Sequence, residues 1–288
     1  IDPIERVVTL EKLQAAWTPN TKAVMPVDLG GWPVDYNAIG AWLNSTPIRN
    51  GFKPKTAVQE AFGRPLFISD AAHSFGAYVE GLPVGTQADI TGFSFHAVKN
   101  LTTAEGGALS LSLPPALDLE QTTAWLRSMS LHGQSKSALE KTQSGTWQYD
   151  VTEAGYKCNM TDIQAAIGRS QLRTYPDHLN RRKEIATQYN RLLESASWCT
   201  LPVLEDDTRE SAYHLFSIRI RGFHSGQRDT LMMRLKEDGI ATNVHFIPLP
   251  LLSLHRNRGE QMSDYPESAA CFHEQLSLPI HLHLEEED

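Results

Sequence analysis

Along the first half of the chain, short apolar runs alternate with stretches whose apolar residues recur at helical spacing. Lys22–Val27 (KAVMPV), Pro65–Ser69 (PLFIS) and Asp89–Phe95 (DITGFSF) are compact apolar runs, and Ala108–Leu113 (ALSLSL) alternates strictly. Each reads as a strand. Between them, Asp35–Leu43 places Ile39, Trp42 and Leu43 at helix spacing. Strands separated by helices predict a mostly parallel sheet covered on both faces, which binds ligands beyond the carboxyl ends of its strands. Asp70 and Lys99 fall at or just past such ends.

The second half has a different texture. Residues 114–150 read as loop and helix, with a polar Gln134–Ser144 stretch. Thr161 followed by Gln164 predicts a capping box opening a helix with Ile163, Ala166 and Ile167 on one face. Pro176 predicts a break, with a second helix running on through NRRKEIATQYNRLLES. Tyr213–Arg221 alternates as a half-buried strand, Arg228–Asp238 reads as a charged helix, and Ala241–Phe246 as another strand. The expectation is a large α/β domain over residues 1–185 and a smaller α+β domain over 186–288.

Composition narrows the function. With 288 residues, 41% hydrophobic and 21% charged, the chain can bury a sizeable core. A net charge of −8 argues against nucleic acid as partner, and no apolar run approaches the ~20 residues that span a bilayer. There is no basic-then-apolar leader in the sequence given. Cys158, Cys199 and Cys271 are odd in number and far apart, the usage of a reducing cytoplasm. His281 and His283 are spaced for one face of a strand, but no third ligand lies nearby, so no metal is expected. The acidic run at residues 285–288 would suit a helix start.

The candidate chemistry sits in ISDAAHSFGA and SFHAVKNLTTAEGG. A strand-terminal carboxylate (Asp70), a reachable amine (Lys99) and small donors (Ser94, Thr102, Thr103, Gly106, Gly107) match what pyridoxal phosphate requires. The amine condenses with the aldehyde, the acid keeps the pyridine nitrogen protonated, and short donors hold the phosphate. Read singly, each residue has an ordinary alternative. Lys99 could be a solvated surface charge, Asp70 a helix cap, His73 a packed core histidine and Ser94 a strand serine.

These motifs, with GYKCNMTDIQAAIGRSQL, TKAVMPVDLGGWPVD, NVHFIPLPLL and LSLPIHLHLEEE in order along the chain, resemble the DegT/DnrJ/StrS family of sugar aminotransferases. The resemblance covers nearly the whole chain. It implies a fold-type-I enzyme with a three-layer large domain and a dependence on pyridoxal 5'-phosphate. It further implies amino transfer from glutamate to a nucleotide-linked keto-sugar, for polysaccharide or secondary-metabolite synthesis. By the same resemblance Lys99 would be the cofactor-bound lysine and acid/base, and Asp70 the partner of the pyridinium nitrogen. His73 would lie against the ring or its phenolic oxygen, and Ser94 would bind the phosphate. Family members are homodimers with shared sites, which would send Lys157 or Asn159 to the neighbour's phosphate, and His245 would lie near the substrate. Many relatives carry Asn then Arg where this chain has Lys157 and Asn159. The family's N-terminal loop and helix, with a Gly-Thr pair and a stacked aromatic ring, has no match here, so that segment is expected to be lacking. The rival readings are a non-catalytic scaffold or inactive fragment, and a sugar dehydratase. The dehydratases replace the lysine with histidine, so Lys99 argues against that one.

Overall fold

A computed structural model describes residues 1–136 and 147–285. The polar run after Gln134 and the acidic run at the end fall largely outside these residues.

Strands β1 (Ala23–Val24) and β2 (Leu66–Asp70) pair in parallel. A short hairpin, β3 (Tyr78–Val79) and β4 (Leu82–Pro83), precedes β5 (Ile90–Ser94), which lies parallel to β2. β6 (Gly107–Leu111) closes the sheet antiparallel to β5, giving the order β1-β2-β5-β6. The four expected runs therefore form one mixed sheet, three strands of it parallel.

Helix Tyr36–Leu43 starts where Asp35 accepts the Ala38 amide at 2.9 Å, and it buries Tyr36, Ile39 and Leu43. These pack with Val24, Trp32, Val34 and Phe67 into the first core. Burying a large apolar side chain is worth about 1.5–3 kcal/mol, so this face fixes the helix to the sheet. Arg64 ties together the amino-terminal ends of β2 and β5, donating twice to the buried Asp89 carboxylate at 2.7 Å each.

Thr161 and Gln164 form the expected capping box, and the helix that follows runs unbroken over Asp162–Leu193. The expected interruption at Pro176 does not occur. Proline deprives the Leu172 carbonyl of its helical partner, but Leu172 and Pro176 are both exposed residues, so the break is made on the solvent side of the helix. Tyr175 beside it is buried and donates its hydroxyl to the Phe75 carbonyl, which anchors the turn.

In the second half, β7 (Cys199–Thr200) and β8 (Arg209–Glu210) precede β9 (Phe216–Ile220), whose residues alternate buried and half-buried. β9 pairs antiparallel with both β7 and β10 (Gln275–Leu278). Helix Ser225–Glu237 and helix Pro266–Glu274 accompany this sheet. Its core comprises Ala186, Leu204, Tyr213, Phe216, Ile218, Ile220 and Leu276. β8 instead pairs with β3, tying this half to the first. Two expected strands are corrected. Residues 241–246 make only one bridge, Asn243 to Ser277, before the chain peels away toward Pro248. His281 stands in coil and His283 in a turn.

Among the described residues, no group of three or more His, Cys, Asp or Glu could hold a metal ion, and no helix is long and apolar enough to cross a membrane. The three cysteines are free thiols.

Candidate active site

Asp70 ends β2, with its Oδ1 accepting the Ala72 amide at 3.1 Å. That bond turns the chain sharply into Ala71–Ser74. Lys99 stands in the turn after β5, its amide donating to the His96 carbonyl at 3.0 Å. Lys99 is half-buried, and its pKa is lowered by burial, partly offset by the attraction of Asp70. A lowered lysine pKa leaves more neutral amine at a given pH.

The Lys99 charge acts on three histidines, His73, His214 and His245. Burial pushes His73 down to about 3, with Lys99 and His245 adding to it. Burial likewise depresses His214, to about 2, with His73 and Lys99 contributing, and His245, where Lys99 contributes. All three are neutral at neutral pH. His73 Nδ1 accepts the Gly30 amide at 3.2 Å, so its hydrogen sits on Nε2. Its ring lies 4.5 Å from His214 and 5.8 Å from Phe246, centroid to centroid. His245 shares a hydrogen bond with Ser277 at 2.9 Å.

Ser94 ends β5, and its hydroxyl oxygen accepts the His96 amide at 3.4 Å, leaving the hydroxyl proton to donate. Lys157 and Asn159 lie on the loop before the long helix and are hydrogen-bonded to each other. Their loop touches the turn after Lys99, because the Met160 methyl lies 3.0 Å from where a Gly106 Cβ would stand. The charges of Lys99, Asp70, His73 and His245 act on one another, and Ser94 ends the strand that leads to Lys99, while Lys157 is exposed and Asn159 half-buried on the loop whose Met160 packs against Gly106.

Three neighbours escaped the sequence reading. Asp28 is fully buried beyond β1, and its amide donates to the Asp70 carbonyl at 3.1 Å. Its carboxylate accepts the Val34 amide at 2.9 Å and the hydroxyls of Tyr36 and Ser74 at 2.6 Å each. The logic that singled out Asp70, a carboxylate ending an apolar run, applies equally to Asp28. Asn100 and His214 carry no such local signal, since 114 positions separate them.

The DegT/DnrJ/EryC1/StrS aminotransferase family model matches residues 60–288. The chain is 36% identical over 293 residues to the spore coat polysaccharide biosynthesis protein SpsC of Bacillus subtilis, covering 100% of this chain and 67% of that protein. Among solved structures it superposes on Spr1654 of Streptococcus pneumoniae, described as a sugar aminotransferase. The pyridoxamine-phosphate form gives a TM-score of 0.92 at 39% identity, covering 100% of this chain and 71% of that one. The pyridoxal-phosphate form gives 0.88 at 39%, covering 96% and 68%. The fold is that of a fold-type-I, pyridoxal-phosphate-dependent transferase. The chain belongs to the DegT/DnrJ/EryC1/StrS aminotransferase family.

The residues present fit that cofactor. They supply an amine with a lowered pKa, a carboxylate whose field acts on it, and a neutral ring wall. A serine hydroxyl stands at the strand end next to the amine's turn.

Proposed function

We propose that the protein moves an amino group from glutamate to a nucleotide-linked keto-sugar, making an amino sugar for a polysaccharide or a secondary metabolite. The observation that carries the reading is the meeting of Lys99 and Asp70 at the carboxyl ends of β5 and β2, inside a wall of neutral histidines. The polysaccharide role named for SpsC supports the product class.

Pyridoxal phosphate, when bound, supplies an aldehyde for amine exchange and a ring that accepts the electron pair released as a C–H bond breaks. Lys99 would anchor it and, once freed, carry the proton between cofactor and substrate carbon. Its lowered pKa suits both tasks, since only the neutral amine is a nucleophile or a base. Asp70 would keep a proton on the pyridine nitrogen, and the Ala72 amide fixes its carboxylate for that role. His73 would present its Nε2–H toward the ring, and Ser94 would donate to the phosphate. His245, fixed by Ser277, would face the substrate.

The same reading makes the protein a cytoplasmic homodimer with shared sites. In it Lys157 and Asn159, on the loop before the long helix, would reach the neighbour's phosphate. It also divides the chain into a cofactor domain over 1–185 and a small domain over 186–288. The two separate cores support the division, while the long helix runs across it.

The test is to add pyridoxal phosphate, record the visible spectrum, and then add glutamate. A band that glutamate bleaches, and that Lys99→Ala abolishes, is expected. A band that survives Lys99→Ala removes the enzymatic reading, and one that glutamate leaves intact favours a scaffold.

A further inference from the structure

Asn100 follows Lys99 directly, so whatever fixes its side chain also fixes the peptide that carries the amine. Its amide nitrogen donates to the Ala212 carbonyl at 2.6 Å. A carbonyl can only accept, so the amide oxygen must be the atom that faces His214 Nδ1, at 2.9 Å. His214 therefore carries its hydrogen on Nδ1. Asn100 also supports the hydroxyl of buried Tyr175. Every polar atom of this side chain is committed.

His214 is itself held from several sides. Arg182 donates to the carbonyls of Tyr213 at 3.3 Å and His214 at 3.4 Å. The amides of Ala212 and Leu215 donate to the carbonyls of Gly31 and Gly30 at 2.9 and 3.0 Å. A Cβ on Gly31, which sits at φ 100°, would stand 3.0 Å from the His214 backbone nitrogen, so a side chain there would be both strained and crowded. The far face of the His214 ring rests on His73.

We propose that His214 is a positioning residue for Lys99, acting through Asn100 to hold the Lys99 turn against the wall formed by Asp70 and His73. A neutral imidazole suits the task because it offers one fixed donor and a flat face in a single side chain. An amide could donate but would not fill the space beside His73. The second half of the chain thereby sets the placement of an amine carried by the first. The inference rests on Lys99 being the cofactor-binding lysine.

The test is a cycle of His214→Phe, Asn100→Ala and their double variant, with His214→Asn keeping a donor where Nδ1 stands. Two quantities are read. One is the pH midpoint for modification of Lys99 by an amine reagent in cofactor-free protein, followed by peptide mass spectrometry. The other is the dissociation constant for pyridoxal phosphate. Each single variant is expected to move the midpoint by about half a unit or more and to weaken cofactor binding about tenfold. The double variant should be no worse than the stronger single, and His214→Asn, which keeps the donor but loses the ring against His73, should restore part of both. Additive effects, or a folded His214→Phe protein unchanged in both readouts, would overturn the proposal. If thermal unfolding shows that His214→Phe does not fold, Asn100→Ala alone decides, and unchanged values again overturn it. Lys99→Ala separates the two claims. A cofactor band indifferent to that substitution sinks the proposed function, while the amine midpoint in cofactor-free protein still reports on the pair.

Discussion

The Gly30 amide donates to Nδ1 of His73 at 3.2 Å, fixing the histidine as its Nε2–H tautomer. Gly30 makes this bond from the left-handed region, at φ 71°, where a side chain is strained. His73 is expected to stay neutral down to about pH 3, because burial and Lys99 oppose its charge. The unfolded chain takes up that proton near pH 6.5. The native state therefore loses stability from this residue as pH falls below about 6.5. Nitrogen NMR of labelled histidine should show one neutral tautomer at pH 5. A titration near 6.5 would contradict the packing described.

Asp28 carries the opposite sign. Burial raises its carboxyl to about 6, against the lowering effect of Ser74, Tyr36 and Val34. A raised folded pKa gives stability that is complete below about pH 4 and lost as pH rises through about 6. Denaturant unfolding of wild type and Asp28→Asn should diverge across that window by on the order of 2–3 kcal/mol. Parallel curves would show that Asp28 does not titrate there.

The first-half sheet was legible because its strands are short apolar runs with helices between, and that pattern survives any detail of packing. Asp70 and Lys99 were legible for the same reason, since strand ends can be read locally. Pro176 misled because its cost was met by Tyr175 reaching the Phe75 carbonyl, a contact 100 residues away in sequence. Ala241–Phe246 has strand composition, yet only Asn243 finds a neighbour. His214 lay hidden inside an apparent strand. Tyr213 adopts φ 51°, which turns the chain out of β9 before Phe216 and points His214 at Asn100. Nothing local in the sequence announces that turn.

Arg64 and Asp89 form a nearly buried two-pronged ion pair, and Asp89 also accepts the Phe67 amide at 2.8 Å. Arg64→Leu strands a buried carboxylate and should cost about 3–5 kcal/mol in denaturant unfolding. Arg64→Leu combined with Asp89→Asn should recover part of that loss. A single variant within about 0.5 kcal/mol of wild type would mean that water replaces the arginine.

Gly31 sits at φ 100°, with the nitrogens of His214 and Tyr213 3.0 and 3.1 Å from where its Cβ would be. Gly31→Ala should therefore destabilise by about 1–3 kcal/mol and weaken cofactor binding with it. Gly81→Ala is the control, since it shares a positive φ of 75° but has open space around it. Equal losses in the two would place the whole cost in backbone strain rather than in the approach to His214.

The most direct measurement is borohydride reduction of the protein with pyridoxal phosphate, followed by peptide mass spectrometry. The expected result is one pyridoxyl group per chain, on the peptide bearing Lys99, and little labelling in Asp70→Ala. Label on another lysine, or spread over the surface lysines, would contradict the site.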